Sequence, residues 1–595
     1  MKLTRRSLLF GCAALPAMPA EPAVSDSLIA VPANRVKVGG LLGDRMTAIW
    51  RGNILKLDVD KDFLAPFFDR SYSKGITGGF IGLGTFLDAL VRFAYHTGNP
   101  ELLRLKKHVV SEILRAQEPD GYIGFYQPEN RIRKAWDVHE LNYVAFGLTT
   151  DYRLFGEAES LQCARRAADY MVRGIAGKMP GAIDASGIHM PMIITGFDRS
   201  MLTLYRVTGE QRYHDVLKDV GLETWDLDIV EGRKAPFYGH KYAFLTRCLA
   251  QLELYHITGD RRLLQQTGKA MDFMRRRNGM LITGSGDKVE CWMSDQTGTA
   301  PKGENTESCA TAYEVRVLDQ LLRMYGDSIH GDIMERAYYN AAFAAMSPDG
   351  RKIRYWTPFE GPRPDYPLDT MCCPNNLRRI VAEIPEFVYY AQHGGGVTVN
   401  LYTESEAEVE WRQGAKVRIR QETEYPTSGA VMLHIDPERA AEFPLSLRIP
   451  RWCSNPALAV NGNSVAVTGP GFATIRRRWK AGDRVELRMD MPWRLVRGRE
   501  AQEGKVAVMR GPVVYCFNPQ RNVDGPPLDS LTIDASRMAA VRRDDSVRPN
   551  GAACDIALGG GRKATLTEYP DPGGQAIYFR AVPGAKTVAD ELIEV

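Results

Sequence analysis

The sequence predicts a multidomain protein of α plus β class, in which a helical domain precedes a region of antiparallel β-sheet. Two observations predict this order: apolar residues recur at three- and four-residue steps from about residue 80, and the period falls to two after about Ile384. At 595 residues, with 44% apolar and 25% charged residues, the chain has the composition of a globular protein but is too long for one compact core. We therefore expect two or three domains.

The first residues have the composition of an export signal. Arg5 and Arg6 stand before a short apolar run that ends near Leu15, and small residues between Ala17 and Ala23 offer a cleavage site. The sequence therefore predicts a twin-arginine signal peptide over residues 1–25 and a periplasmic or secreted mature protein. Because this route exports folded proteins, cysteine thiols can meet a metal ion in the reducing cytoplasm first.

Composition also excludes two classes of partner. No later segment approaches 18 uninterrupted apolar residues, so we expect no membrane span. The formal net charge is +4, and the chain has no long basic run with interleaved aromatic residues, so nucleic acid is not an expected partner.

The helical part repeats a short pattern in which a helix ends, a glycine follows, and an acidic or amide residue comes next. A glycine after the last helical turn adopts the left-handed conformation, and the following polar residue begins the next helix. The pattern recurs every 50 to 67 residues, at Gly98, Gly156, Gly209, Gly259 and Gly326. This spacing is the length of a helical hairpin and predicts stacked helix pairs. A straight solenoid and a closed ring both fit it.

The C-terminal third alternates apolar and polar residues. Val397–Leu401, Val485–Met489 and Val506–Met509 show the alternation, and Asn461-Gly462 is a typical turn between strands. We predict one or two β-sandwiches. The predicted domains are a helical, site-bearing domain over residues 26–385, a β-sandwich over 386–500 and a second β-rich domain over 501–595. We expect the β-domains to support the helical domain, with carbohydrate binding as the alternative.

Three thiols and a carboxylate occur in two short motifs, Glu307-Ser308-Cys309 and Cys372-Cys373-Pro374. Cysteine and glutamate both bind zinc, and four such ligands complete a tetrahedral site. However, the adjacent cysteines also fit a vicinal disulfide or two small buried residues. The spacing is not that of a zinc ribbon, so the residues alone leave both interpretations open.

Further motifs occur in the same chain as these two. They are Gln117–Tyr122, Trp136–Leu141, Gly239-His240, Met334–Asn340, Val399–Tyr402 and Arg510–Tyr515. Together with Glu-Ser-Cys and Cys-Cys-Pro-Asn-Asn, and in this order over most of the chain, they resemble the β-L-arabinofuranosidases of glycoside hydrolase family 127 and their relatives. The resemblance implies that the helices close into an (α/α)6 toroid whose hollow end holds a sugar.

The resemblance also implies a mechanism and its residues. Glu307, Cys309, Cys372 and Cys373 would bind Zn²⁺, and Cys372 would also be the nucleophile of a retaining exo-glycosidase. Glu290 occupies the place of the family's general acid and base. The implied substrate is a plant-type glycan with a terminal furanose, first of all β-L-arabinofuranose.

The resemblance implies some, but not all, of the family's substrate-binding residues in this chain. His139, His240, Glu335 and Tyr355 fall where family members bind the furanose ring. The family has a further histidine on the helix before Leu204, but this chain has Met192–Asp198 there, and its nearest histidine, His189, is out of register.

Three alternatives to the arabinofuranosidase interpretation therefore remain. A glycosidase of the same family could act on another branched or acidic sugar of pectic side chains. The second alternative is a polysaccharide lyase, since lyases also use the toroid fold. The third is a sugar-binding protein without catalytic activity. Neither of the last two requires clustered thiols.

Overall fold

The computed structural model describes residues 22–70, 80–134, 136–177, 194–220, 241–276, 279–286, 296–297, 306–525, 527–558 and 561–593. His189, His240 and Glu290 lie outside the described residues, as does most of the predicted signal peptide.

The helical domain is a ring of helical hairpins. Two short helices, α1 (Gly40–Thr47) and α2 (Ala65–Asp69), precede it. The inner helices are α3 (Leu83–Thr97), α5 (Asp137–Phe155), α7 (Phe197–Thr208), α9 (Lys241–Thr258), α11 (Ser308–Tyr325) and α13 (Cys372–Ala382). The helices between them in the chain are α4 (Pro100–Ala116), α6 (Ala158–Ile175), α8 (Gln211–Asp215), α10 (Arg261–Arg276) and α12 (Ser328–Ala337). Each inner helix contacts the next, and α13 contacts α3, which closes the ring and confirms the toroid.

The repeated glycines end the inner helices. Gly98, Gly156, Gly209, Gly259 and Gly326 directly follow α3, α5, α7, α9 and α11, with φ between 60° and 77°. Other residues rarely adopt this left-handed conformation, so the glycines stop each inner helix at a fixed place. An antiparallel helix then returns the chain. All inner helices consequently run in the same direction, and their N-terminal ends meet at one end of the toroid.

The β region contains a sandwich of two sheets. Its first sheet has five strands, in the order β1 (Leu28–Ala30), β3 (Tyr389–Gln392), β4 (Val397–Val399), β8 (Ala441–Ile449) and β11 (Gly471–Trp479). The second has seven, in the order β10 (Asn463–Val465), β9 (Pro456–Val460), β12 (Asp483–Met489), β7 (Ala430–Pro437), β6 (Ala415–Thr423), β5 (Ser405–Arg412) and β2 (Val36–Val38). All pairs are antiparallel except β4 with β8.

A third, eight-stranded sheet forms the C-terminal domain. Its order is β16 (Thr532–Ile533), β20 (Tyr578–Ala581), β14 (Lys505–Arg510), β15 (Val513–Phe517), β19 (Lys563–Glu568), β18 (Ala552–Ala557) and β17 (Arg542–Arg543), and β13 (Trp493–Arg497) pairs with β14 beside this path. All pairs in this sheet are antiparallel except β16 with β20. The alternation of apolar residues predicts such mainly antiparallel β-domains.

Strand pairing differs from the predicted domain ranges in two places. The strands β1 and β2 precede the toroid in the chain, yet β1 pairs with β3 and β2 pairs with β5. The segment 28–38 therefore belongs to the sandwich and not to the helical domain. Likewise, β13 ends before residue 501 but pairs with the C-terminal sheet. Both pairings join segments that are distant in sequence, which local periodicity does not reveal.

The helix α12 joins the toroid to the sandwich through a buried ion cluster. Arg448 on β8 donates to Asp332 Oδ1 (2.5 Å) and to Glu335 Oε1 (2.6 Å). Tyr425 also donates to Glu335 Oε1 (2.7 Å), and the Trp452 indole donates to Glu335 Oε2 (3.2 Å). Both carboxylate oxygens of Glu335, which is 1% exposed, are thus bound by the β-sandwich. These partners make Glu335 an interdomain residue, and its contact with a sugar hydroxyl stays a prediction.

The same motif contacts the C-terminal domain. Arg336 donates to Asp590 (2.7 Å), and the Asn340 amide donates to the Pro512 carbonyl (2.9 Å) and accepts from Val514 N (2.8 Å). The segment from Met334 to Asn340 therefore holds both β-domains against the toroid.

Five cysteines of the described ranges lie outside the two motifs, namely Cys163, Cys248, Cys453, Cys516 and Cys554, and all five are free buried thiols. None of the helices in the described part of the chain combines the length and the apolar character that a bilayer crossing requires.

We expect Arg448→Met to destabilise the protein by about 3–5 kcal/mol, because Asp332 and Glu335 would be left buried without their cation. Chemical denaturation followed by tryptophan fluorescence measures the change. Arg420→Met is the matched control, since Arg420 lies on the exposed face of β6 and should cost at most about 0.5 kcal/mol. Equal losses in the two variants would contradict the assigned role of Arg448.

Candidate active site

Two inner helices begin beside each other at the site. Glu307 immediately precedes α11 and Cys309 lies on its first turn, while Cys372 and Cys373 are the first two residues of α13. Cys373 Sγ lies 3.3 Å from Glu307 Oε1 and 3.1 Å from Cys309 Sγ. The ligand atoms of all four residues lie within 4.8 Å of one another. The structure thus brings together residues that are more than 60 positions apart in the chain.

The segment that carries Tyr355 is fixed to the start of α11. Ser308 N donates to the Tyr355 carbonyl (3.0 Å), and Thr357 N donates to the Thr306 carbonyl (3.1 Å). This short bridge places the Tyr355 hydroxyl 3.3 Å from Cys372 Sγ. Tyr355 therefore reaches the cluster through Cys372, the least buried of its thiols.

The electrostatics of the cluster favour a cation. Burial raises the pKa of the Cys309 and Cys373 thiols well above the usual value, so these thiols stay protonated unless a positive charge compensates them. The sulfur atoms of a tetrahedral zinc site lie about 3.8 Å apart, given Zn–S bonds of about 2.3 Å. Separations from 3.1 Å to 4.8 Å bracket that value. The donor set therefore fits a metal ion such as zinc.

Two further features support thiolates at this position. Cys372 and Cys373 lie at the N-terminal end of α13, where the helix dipole favours negative charge. Asn376, one turn further on, donates from Nδ2 to Cys309 Sγ (3.2 Å). Asn376 is the last residue of the Cys-Cys-Pro-Asn-Asn motif, and the sequence did not predict its contact with Cys309. Its position three residues after Cys373, on the same side of the helix, was the available signal.

Hydrogen bonds continue from Asn376 into the axis of the toroid. Arg379 Nη1 donates to Asn376 Oδ1 (3.0 Å) and to the Tyr313 hydroxyl (2.7 Å). The Tyr313 hydroxyl lies 2.7 Å from that of Tyr143, which lies 2.9 Å from that of Tyr242. These buried groups fix α5, α9, α11 and α13 relative to one another below the cluster.

His139 lies on the first turn of α5, at the same end of the toroid. Its Nε2 is 3.4 Å from the Tyr242 hydroxyl, and its ring packs against Phe80, Trp136 and Tyr143. The side chain is 1% exposed. The structure connects His139 to the cluster through the tyrosine network, and its contact with a sugar stays a prediction.

A buried carboxylate and a buried amine face each other across the neighbouring helices α9 and α11. Lys241 Nζ, at the start of α9, is 3.6 Å from Glu314 Oε2 on α11. Burial raises the pKa of Glu314 to about 7, although Lys241 acts to lower it. The spacing of apolar residues did not reveal this pair. In the sequence, a single charged residue on a helix looks the same whether it is buried or on the surface.

The predicted site residues thus divide into four groups. His139 is linked to the cluster through the tyrosine network. Cys309, Cys372, Cys373 and Glu307 come together, with Tyr355 against them. Glu335 lies in the joint with the β-sandwich. Glu290 and His240 lie outside the described residues.

Comparison with known proteins agrees with this architecture. A family model described as β-L-arabinofuranosidase, GH127 catalytic domain, matches residues 50–386, and a model of the GH127 middle domain matches residues 396–491. The curated non-reducing end β-L-arabinofuranosidase of Bifidobacterium longum subsp. longum is 25% identical over 516 residues, which is 74% of each chain.

Two solved structures share the fold over nearly the whole chain. A GH127 β-arabinofuranosidase is 22% identical with a TM-score of 0.78, and the match covers 95% of this chain and 100% of that one. A GH127 β-L-arabinofuranosidase from Geobacillus stearothermophilus T6 is 23% identical with a TM-score of 0.74, and the match covers 92% of this chain and 100% of that one.

The toroid with its thiol and carboxylate cluster, together with the match of the catalytic domain, defines the protein as a glycoside hydrolase of the β-L-arabinofuranosidase type. The chain belongs to glycoside hydrolase family 127.

We expect Asn376→Ala to weaken metal retention by about 10- to 100-fold, because an outer residue that hydrogen-bonds a metal ligand tunes affinity by this amount. Competition with a chromophoric chelator measures the metal affinity. Asn463→Ala, on the exposed strand β10, is the control and should retain metal as the wild type does. Unchanged affinity in Asn376→Ala would show that the amide does not support Cys309.

Proposed function

We propose that the protein is a retaining exo-glycosidase that releases terminal β-L-arabinofuranose from plant-type glycans, with Cys372 as the nucleophile and Zn²⁺ as the cofactor. Glu307, Cys309, Cys372 and Cys373 would hold the ion. Once bound, the ion supplies positive charge that keeps these thiols deprotonated near neutral pH.

The observation that carries the proposal is the difference between two adjacent cysteines. Cys373 is fully buried between Glu307 and Cys309, as a pure ligand would be. Cys372 is more exposed than Cys373, and the Tyr355 hydroxyl lies beside its sulfur. Of the cluster's three thiols, Cys372 is therefore the one suited to attack an anomeric carbon.

The proposed reaction has two displacements. In the first, Cys372 Sγ forms a bond to the anomeric carbon while the glycosidic C–O bond breaks, and Glu290 gives its proton to the leaving oxygen. In the second, Glu290 takes a proton from water, the water oxygen bonds to the anomeric carbon, and the C–S bond breaks. Two inversions give net retention. The role of Glu290 rests on the family resemblance.

The position of Tyr355 suits both displacements. Its hydroxyl can donate to the Cys372 sulfur and so fix the direction of that side chain. Burial raises the pKa of Tyr355 well above the usual value, so the phenol keeps its proton.

One observation supports the second candidate substrate. The described part of the segment that precedes Leu204 reads Ile194-Thr195-Gly196-Phe197-Asp198 and contains no histidine. Without this histidine, the sugar-binding site would have one hydrogen-bonding group fewer and could accept a sugar with differently placed hydroxyl groups. The alternative substrate is therefore another furanoside or an acidic sugar of pectic side chains. Family membership favours hydrolysis over the lyase and the binding-protein alternatives.

We also propose export by the twin-arginine route. The buried single thiols are compatible with folding in a reducing compartment before export, because oxidation during folding would risk non-native disulfides.

The test is a panel of nitrophenyl furanosides and pyranosides together with a covalent label. We expect turnover of the β-L-arabinofuranoside, with the first product in the β configuration by NMR. A haloacetamide attached to β-L-arabinofuranosylamine should label Cys372 once per chain, as peptide mapping would show, because only this thiolate faces the sugar.

The same haloacetamide on a mannopyranosyl amine is the control and should leave Cys372 unlabelled. A label on Cys373 would reverse the assignment of the two cysteines. A label on a glutamate with Cys372 untouched would replace the thiolate mechanism with a two-carboxylate one.

A further inference from the structure

A cavity lies in the axis of the toroid, toward the C-terminal ends of the inner helices. Its volume is about 680 Å³, and residues from α3, α5, α7, α9 and α11 line it. The N-terminal segment crosses its outer end, where Asp26 binds His256 (2.6 Å) and Arg323 (2.6 Å). The thiol cluster lies at the opposite, N-terminal ends of these helices, so this cavity is separate from the active site.

Arg199 and Arg316 line the cavity, and a third guanidinium group, that of Arg379, shares an aromatic ring with each of them. Arg199 lies 4.9 Å and Arg379 lies 5.5 Å from the centre of the Phe146 ring. Arg316 lies 4.7 Å and Arg379 lies 5.8 Å from the centre of the Tyr313 ring. Arg379 therefore shares the Phe146 ring with Arg199 and the Tyr313 ring with Arg316.

These cations keep hydrogen-bond donors without acceptors. Within the described ranges, Arg199 Nη1, Arg316 Nη1 and Nη2, and Arg379 Nη2 are buried and have no partner. Arg316 and Arg379 are 4% and 0% exposed. Leaving a buried donor without an acceptor is unfavourable, and more so where the group is charged, so four such donors on three neighbouring arginines imply an acceptor.

Carboxylates compensate only two of the three charges. Arg316 Nε donates to Glu383 (2.8 Å), and Arg379 Nε donates to Asp88 (2.6 Å). Arg199 has no ion pair with any carboxylate among the described residues.

Other acids of the cavity are bound elsewhere. Glu253 is paired with Arg206 (2.8 Å), Glu386 with Arg92 (3.0 Å), and Asp319 lies 3.6 Å from Arg323. Burial and the neighbouring Arg379 and Arg316 lower the pKa of Arg199, and the same three cations lower the pKa of Tyr313 against the effect of burial. The inner end of the cavity is therefore a region of positive potential.

We propose that this end of the cavity is a binding site for a small inorganic anion, which accepts hydrogen bonds from Arg199, Arg316 and Arg379. A halide or an oxyanion satisfies the donors and neutralises the charge of Arg199. Water offers acceptors but no charge. Because Arg379 also donates to Asn376, the bound anion would stiffen the residues that support Cys309 from below. The site is independent of the reaction proposed above.

Crystals of the wild-type metal-loaded enzyme soaked in bromide test the site directly. We expect one anomalous peak within hydrogen-bond distance of Arg199 and Arg316. Phosphate soaks form the second arm and distinguish a site for halides from a site for oxyanions. Absence of any anion peak at the three arginines in both soaks would overturn the proposal.

Thermal unfolding in bromide or phosphate, at constant ionic strength with gluconate as the balancing ion, provides a second measurement. We expect a saturable rise of at least about 2 °C in the wild type, because a ligand that binds the folded state stabilises it. Arg199→Met should lose this rise. Arg206→Met should keep it, since Arg206 lines the same cavity but is held by Glu253. The same saturable rise in Arg199→Met as in the wild type would contradict the site, whatever the stability of the variant.

Discussion

The contact on which the rest of the site depends is the one that Cys373 makes with Glu307 and Cys309. It joins the first residues of α11 and α13, which the chain separates by a helical hairpin and a long loop. Buried thiols beside a carboxylate are unfavourable neighbours without a cation, because burial raises the pKa of Cys309 and Cys373 and so holds these two thiols protonated. A metal ion resolves this conflict, and in doing so it would tie two neighbouring helices together at the mouth of the toroid.

Around this contact, the residues that touch the cysteines differ from those that hold the helices in place. Tyr355 lies against Cys372, and Asn376 against Cys309, so each cysteine has a different neighbour and a different exposure. Below them, the tyrosine and arginine network fixes the inner helices. At the rim, α12 carries Asp332 and Glu335 into the β-sandwich. The β-sandwich thereby holds α12 in place beside α11.

The sequence predicts those features that local chemistry determines. Left-handed glycines such as Gly98 mark the ends of the inner helices, because few other residues adopt that conformation. The Glu-Ser-Cys and Cys-Cys-Pro motifs indicate the cluster, because few structural roles require so many thiols. The prediction that the helices close into a ring depended on the family resemblance, because a straight solenoid shows the same spacing of helical hairpins.

Features that depend on distant contacts were not predictable in this way. Glu335 belongs to a shared motif, but a motif does not distinguish a ligand of the sugar from a partner of Arg448. The strands β1 and β2 complete sheets whose other strands lie more than 350 residues later in the chain. Arg199 and Arg316 meet Arg379 only because the ring closes.

The central claim is that Glu307, Cys309, Cys372 and Cys373 form one metal centre. X-ray absorption at the zinc edge of the purified protein tests it most directly, because sulfur and oxygen ligands differ in number and in distance. The account predicts one zinc per chain with three sulfur ligands at about 2.3 Å and one oxygen ligand at about 2.0–2.2 Å. Active enzyme without zinc, or zinc bound by oxygen and nitrogen alone, would contradict it.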